Sequence, residues 1–271
     1  SFAGFILPNL TQYFLMDILL LEWREVYLVF GLFLLVIITP LIFLLVIDKP
    51  EDIGQEVDGG VEIDGLEPED NFGVDWQIKD LLKNRNFWIL TAVFSLQFSS
   101  MMAILAHLTF YAAERGWAEQ AAFIFGMYAI PAMLSKVIFG WLVEKKLDPR
   151  MAVTISLFLQ ALGLLLITFT QSPTQLALVI ALFGFGGGAG LPMSNILFRN
   201  TFTPKSFGTS RGLSQPFIFL FQAIGTPGVA LLFQYYGNYD NAFLMLTVMV
   251  VLAIFIIWFM KKPQEDLVSS S

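Results

Sequence analysis

The sequence predicts an all-α integral membrane protein, and three observations predict it. Eight stretches come close to or exceed the roughly 20 apolar residues a helix needs to cross a bilayer. They are 2–21, 26–47, 87–113, 121–143, 151–171, 175–198, 213–235 and 242–260, and five of them contain no Asp, Glu, Lys, Arg or His. Charged residues make up only 14% of the 271 and hydrophobic ones 56%, whereas a soluble domain averages about 25% charged. Backbone polar groups in lipid must be paired internally, which leaves helices or closed barrels. The alternating polar residues of a membrane barrel strand are missing, so the spans are read as helices.

Taken in order, the span at 2–21 is the weakest, because it holds Pro8, Asn9, Thr11, Gln12 and Asp17. Asp17 is a candidate proton carrier, although near the outer end of its span a hydrated carboxylate is the plainer reading. The chain begins at Ser1, already inside an apolar stretch and without a signal-peptide layout. The expectation is a piece whose N-terminal part lies upstream. The span at 26–47 is uncharged. Residues 50–78 then carry ten acids and no Lys or Arg, so the net charge of −7 is concentrated there. The centre, Glu51 to Asp75, is too poor in apolar residues to fold and reads as a tether. Its end is different. Trp76, Ile78, Leu81 and Leu82 alternate with Lys79, Asp80, Lys83 and Arg85, the pattern of a short amphipathic helix lying at a membrane surface. Six spans follow between 87 and 260.

The loops set an orientation. One side holds Lys49, Lys79, Lys83, Arg85, Lys145, Lys146, Arg150, Arg199, Lys205, Arg211, Lys261 and Lys262, and the other only Arg24 and Arg115. The basic side is expected in the cytoplasm, with the 48–86 loop and the 263–271 tail.

Several chemistries are excluded. Cysteine is absent and histidine occurs once, which rules out a disulfide framework, thiolate metal sites and multi-histidine clusters. No P-loop appears. Gly184 to Gly190 satisfies G-x-G-x-x-A on paper, but a dinucleotide site needs a preceding strand, and this stretch lies inside an apolar span. An integral-membrane enzyme would need catalytic polar groups gathered at one depth, and the spans lack them. The expectation is no cofactor, no metal and no nucleic acid.

Gly140-Trp141-Leu142-Val143-Glu144-Lys145-Lys146 resembles the G-x-L-x-D-R loop of the major facilitator superfamily, with Glu for Asp and Lys for Arg. The later Gly of that motif is replaced by the Leu147-Asp148-Pro149 region. Phe207-Gly208, Arg211-Gly212, Pro227, Gly237, Tyr239, Ala242 and Phe243 resemble its monocarboxylate and oxalate–formate exchanger branch. Trp23-Arg24 and the Asp48-Lys49-Pro50-Glu51-Asp52-Ile53-Gly54 tail fit the same branch. Its members often carry an acid near Gln234. The resemblance implies two six-helix bundles joined by a cytoplasmic loop. Residues 1–47 would be the last two helices of the first bundle, 48–86 the linker and 87–262 the second bundle. It also implies a monomeric secondary transporter of the plasma membrane, or of a bacterial inner membrane, working by alternating access. Its partners would be the lipid bilayer and a small solute, with a proton or counter-anion.

Lys136 is the sharpest solute candidate. A lysine at mid-helix costs about 2.5–3.5 kcal/mol on insertion scales, so it usually faces a cavity or a partner. In the resembled branch a cation at the matching position is associated with carboxylate binding, which makes an organic anion the expected solute. His107 sits near the predicted outer face, and Tyr111 one turn later on the same side. Asn195 follows Pro192 by about one turn. Lys136, Asn195, His107 and Tyr111 form the candidate solute set. Gln97, Gln160, Gln215 and Gln222 are candidates for cavity or interhelical hydrogen bonds, with interhelical bonding the plainer reading. Small residues let membrane helices approach and Pro192 frees a carbonyl, so Gly186, Gly188 and Pro192 suggest a tightly packed, rocking helix. With the loop motif, the conformational set is Gly140, Glu144, Lys145, Arg211, Gly186, Gly188, Pro192 and Pro227. The rival functions are a drug or cation exporter on the same fold, which would favour acids over Lys136, and a non-transporting sensor or scaffold.

Overall fold

The computed structural model describes residues 22–45 and 76–261. The expected span at 2–21 with Asp17, the acidic stretch Glu51–Asp75 and the 263–271 tail lie outside them. The chain divides into one unit over Ala3–Asn71 and another over Phe72–Ser271 with the first two residues, and each is described by itself. Among the described residues all regular structure is helical, and seven helices are long and apolar enough to cross a membrane.

In the first unit, α1 runs over Arg24–Leu45. The Glu22 N–H donates to the Glu25 carboxylate at 2.9 Å, half of a reciprocal cap at the helix start. A π-turn occupies Leu34–Ile38. There Thr39 Oγ1 donates to the Leu34 carbonyl at 3.0 Å, and Pro40 brings no N–H to continue the regular ladder. Apolar side chains from Tyr27 to Leu45 are largely exposed, a surface suited to lipid or to further helices.

The second unit begins with the short helix α2 (Ile78–Lys83). Six spans follow: α3 (Arg85–Glu114), α4 (Ala121–Glu144), α5 (Pro149–Ile167), α6 (Pro173–Thr203), α7 (Lys205–Tyr236) and α8 (Tyr239–Trp258). Side-chain caps hold the starts. Asn84 Oδ1 accepts from the Asn86 N–H at 2.8 Å, Asp148 Oδ1 from the Arg150 N–H at 2.7 Å, and Ser172 Oγ from the Gln175 N–H at 3.2 Å. Pro149 and Pro173 sit just inside the helices they open, where a missing N–H costs nothing. At the end of α4 the Leu147 N–H reaches the Leu142 carbonyl and the Lys146 N–H the Val143 carbonyl. Lys146 takes φ 80° there, a left-handed cap of the kind usually given to glycine.

Sequential helices are mostly not neighbours. α4 packs on α6, α6 on α5, α5 on α8, α8 on α3, and α3 on α7. The second half of α6 also reaches α3, through Phe87–Phe198 at 6.5 Å. The amphipathic piece α2 is anchored on protein. Leu81 is fully buried, Trp76 meets Phe202 edge-on at 5.7 Å, and the Trp76 N–H donates to Ser206 Oγ at 2.7 Å.

Two expectations are corrected at the junction of α6 and α7. A loop was expected over 199–212, but α6 continues to Thr203 and α7 starts at Lys205. The chain reverses at Phe202 and Thr203, where Thr203 takes φ 66° and ψ 155°, a strained setting for a β-branched residue. Arg199 and Arg211 are therefore helical residues and not loop charges. Hydropathy ended the spans early because Arg199, Asn200, Lys205, Ser206 and Thr209 to Arg211 are polar, whereas the backbone bonds of a helix continue past the apolar stretch.

The glycines of α6 face three helices in turn. A Cβ on Gly184 would lie 2.6 Å from the Tyr128 carbonyl oxygen of α4, and one on Gly188 2.4 Å from that of Ala132. On Gly186 it would lie 2.3 Å from the Gln160 backbone nitrogen of α5, and on Gly190 2.9 Å from the Gln97 side chain of α3. Overpacking costs about 1–3 kcal/mol. Gly186→Ala should lower stability by about that amount in thermal unfolding of detergent-purified protein. Gly228→Ala, where a Cβ meets nothing within 4 Å, should leave the midpoint unchanged.

Candidate functional site

Where the glycines of α6 admit α3 and α5, the apolar packing gives way to a polar cluster. Ser156 Oγ donates to the Gly186 carbonyl at 2.6 Å. Gln160 Nε2 donates to Ser100 Oγ at 3.0 Å and to the Gln97 carbonyl at 3.2 Å. Gln97, Ser100, Ser156 and Gln160 are all essentially fully buried, so these are interhelical bonds. The side-chain oxygens Oε1 of Gln97 and Gln160 have no partner among the described residues. The helical ladder of α6 is interrupted beside them at Ala189, and Pro192 offers no N–H to the carbonyl one turn back at Gly188. Pairing inside a low-dielectric bundle makes such a cluster rigid where it is satisfied and costly where it is not.

Two cations lie on α4 and α7, the least buried spans of the second unit. Lys136 is half-buried, on the turn of α4 after Ala132, whose backbone abuts Gly188. Val137 and Met133 beside it are exposed. Lys136 therefore flanks the α4–α6 contact, and neither of the ion pairs found involves it. Arg211, on α7, is 8% exposed. Its Nε donates to Asn195 Oδ1 at 3.1 Å and its guanidinium lies 5.4 Å from the centre of the Phe198 ring.

At the opposite end of the bundle the charges are paired. Arg115 Nη2 reaches both oxygens of Asp240 at 2.8 and 2.9 Å, and its Nη1 donates to the Thr170 carbonyl at 3.0 Å. The Tyr111 hydroxyl is shared between Asp240 Oδ1 at 3.1 Å and the Ile167 carbonyl at 3.0 Å, and the Arg115 guanidinium lies 5.0 Å from the centre of its ring. This clasp ties α3, α5 and α8 together. His107 is buried. Its Nε2 is 3.0 Å from the Thr226 carbonyl of α7 and its Nδ1 has no partner among the described residues. Tyr239 connects the two candidates, 5.5 Å from the His107 ring and 6.3 Å from Tyr111.

Six packed apolar helices around a buried polar cluster are the arrangement expected of a solute carrier. The model of the Major Facilitator Superfamily matches residues 1–150 and 118–271, two overlapping segments that together cover the chain. The chain belongs to the Major Facilitator Superfamily. No curated protein matches it. Membership makes it a secondary transporter of small solutes and a multi-pass membrane protein in a lipid bilayer, in a family that is generally non-enzymatic.

Within this superfamily protein, the structure separates the sequence-derived candidates. Asn195 is brought to Arg211 and holds it. Tyr111 belongs to the Arg115–Asp240 clasp and His107 to the α3–α7 contact. Lys136 stands apart from all three. Of the loop motif, Glu144 and Lys145 are exposed and Lys145 Nζ lies 6.0 Å from the centre of the Trp141 ring. A Cβ on Gly140 would meet nothing within 4 Å. Pro227 is exposed on α7, next to the Thr226 carbonyl that faces His107.

Sequence reasoning missed the clasp because Arg115 and Asp240 are 125 residues apart. The only signal was that both fall at span ends on the same predicted side. A charge-assisted guanidinium–carboxylate pair is among the stronger polar contacts, although partial exposure reduces its worth. Asp240→Asn and Arg115→Lys should each lower thermal stability by about 1 kcal/mol. The double variant should lose less than the sum, because both act on one pair.

Proposed function

We propose that this superfamily member moves a small organic anion, a carboxylate, by alternating access, with Lys136 as the electrostatic anchor. The observation that carries the reading is a lysine inside an apolar span with no ion-pair partner among the described residues. An ammonium held there at low dielectric attracts an anion strongly and lets it go when water returns. The motif residues Phe207-Gly208, Arg211-Gly212, Pro227 and Gly237 support placement in the monocarboxylate and oxalate–formate exchanger branch. Residues 87–262 are then the second bundle, 1–47 the end of the first and 48–86 the tether between them. The poorly buried faces of α4 and α7 suit the lining of a solute path.

Conformational change falls to the close contacts of α6. Gly186 and Gly188 let it slide against α4 and α5, while Pro192 and Pro227 weaken the ladders of α6 and α7. Gly140, Glu144 and Lys145 act as a charged latch at the basic end. Drive comes from a proton or a counter-anion. The charge bias sets the basic end, the 48–86 loop and the C-terminus in the cytoplasm of the plasma membrane or a bacterial inner membrane.

In proteoliposomes carrying the protein, uptake of labelled acetate or oxalate should fall at least tenfold in Lys136→Gln and be largely kept in Lys136→Arg. Undiminished uptake by Lys136→Gln would remove the anchor. The chain has no cysteine, which makes orientation simple to read. A single cysteine at Lys145 should react with an impermeant maleimide only after the cell membrane is opened. One at Glu119 should react in intact cells.

A further inference from the structure

Arg211 was grouped in the sequence with loop charges, yet it lies six residues inside α7 from Lys205, about 9 Å along the axis. It is more than nine-tenths buried. A buried guanidinium is costly unless a counter-charge and hydrogen bonds offset its lost hydration. Its Nε has Asn195 and its face has Phe198, both neutral. Among the described residues its Nη1 is buried with no partner, and the ion pairs found there, Arg115–Asp240 and Arg150–Asp148, do not include it.

On α3, Thr91 Oγ1 and Ser95 Oγ are buried and also without a partner among the described residues. Both sit on the stretch of α3 that touches Phe198 through Phe87 and Phe94 and α7 through Trp88–Phe217 at 5.1 Å and the Ser99 hydroxyl on the Phe221 carbonyl at 2.8 Å. The missing partner of Nη1 is an acceptor, and both hydroxyls can donate to one. A planar carboxylate offers two acceptor oxygens and matches the guanidinium fork.

We propose that Arg211 is a second anion-binding cation, which takes a carboxylate group on its free Nη1 while Asn195 holds the guanidinium in place. The proposal rests on the organic-anion reading above and adds a contact on α7 to the one on α4. Arg211 thereby moves from a conformational role to a binding one.

The test is thermal unfolding of the purified full chain with acetate, oxalate or chloride as probes. At a carboxylate concentration about 100 times Kd, the wild type should gain roughly 5–10 °C in Tm. Arg211→Met should lose that gain. In anion-free buffer it should unfold at the wild-type temperature or above it, because an unpaired buried charge has been removed. Two results would overturn the proposal: a carboxylate gain that survives in Arg211→Met, or a lower Tm of this variant in anion-free buffer, which would assign Arg211 to an acid of the protein itself. An equal gain with chloride would overturn the carboxylate class. A gain lost in Lys136→Gln but kept in Arg211→Met sinks Arg211 alone and leaves the organic-anion reading standing. No gain in the wild type with any carboxylate sinks both.

Discussion

The bundle depends on how closely other helices can approach α6. Lipid tails are as apolar as leucine, so membrane helices gain little by hiding apolar surface from one another, and close van der Waals contact takes over. Gly184 and Gly188 meet α4, Gly186 meets α5 and Gly190 meets α3. One glycine stretch therefore sets three helix contacts within two turns. The buried polar cluster follows from it. Ser156 reaches the Gly186 carbonyl only because no side chain stands between the backbones, and Gln97 lies against Gly190 for the same reason.

The charges of the bundle divide into two kinds. At one end Arg115, Asp240 and Tyr111 are matched, and the Thr170 and Ile167 carbonyls take up the remaining donors. Such a group holds α3, α5 and α8 in register and leaves little capacity for a ligand. Lys136 and Arg211 are of the other kind. They sit on the two least buried spans of the second unit, and no carboxylate among the described residues answers them. In a medium where an unpaired charge is expensive, cations kept without counter-ions are better suited to an anion that comes and goes than to a permanent scaffold.

The candidate site was legible in part. Lys136 stood out because a single charge in an apolar run is visible without any structure. Gln97 and Gln160 were read as interhelical bonders, which is their role here. Arg211 was misread because a polar run from Arg199 to Arg211 looks like a loop on a hydropathy scale, although its backbone is helical on both sides of Thr203. Tyr111 was grouped with His107 by helical spacing. Its hydroxyl is instead engaged with Asp240, a residue 129 positions away, and no local pattern reports such a distance.

By itself the sequence determined the membrane class, the spans α1 and α3 to α8 to within a few residues at most ends, and the superfamily. These follow from run length, charge content and short motifs, all local properties that the bilayer reads one segment at a time. Only the tertiary structure decided the helix order around the bundle, which glycine meets which helix, that Asn195 serves Arg211, and that Arg115 is matched while Arg211 is not. Those are pairwise facts between residues distant in the chain. They are set by how closely backbones approach, which no single segment encodes.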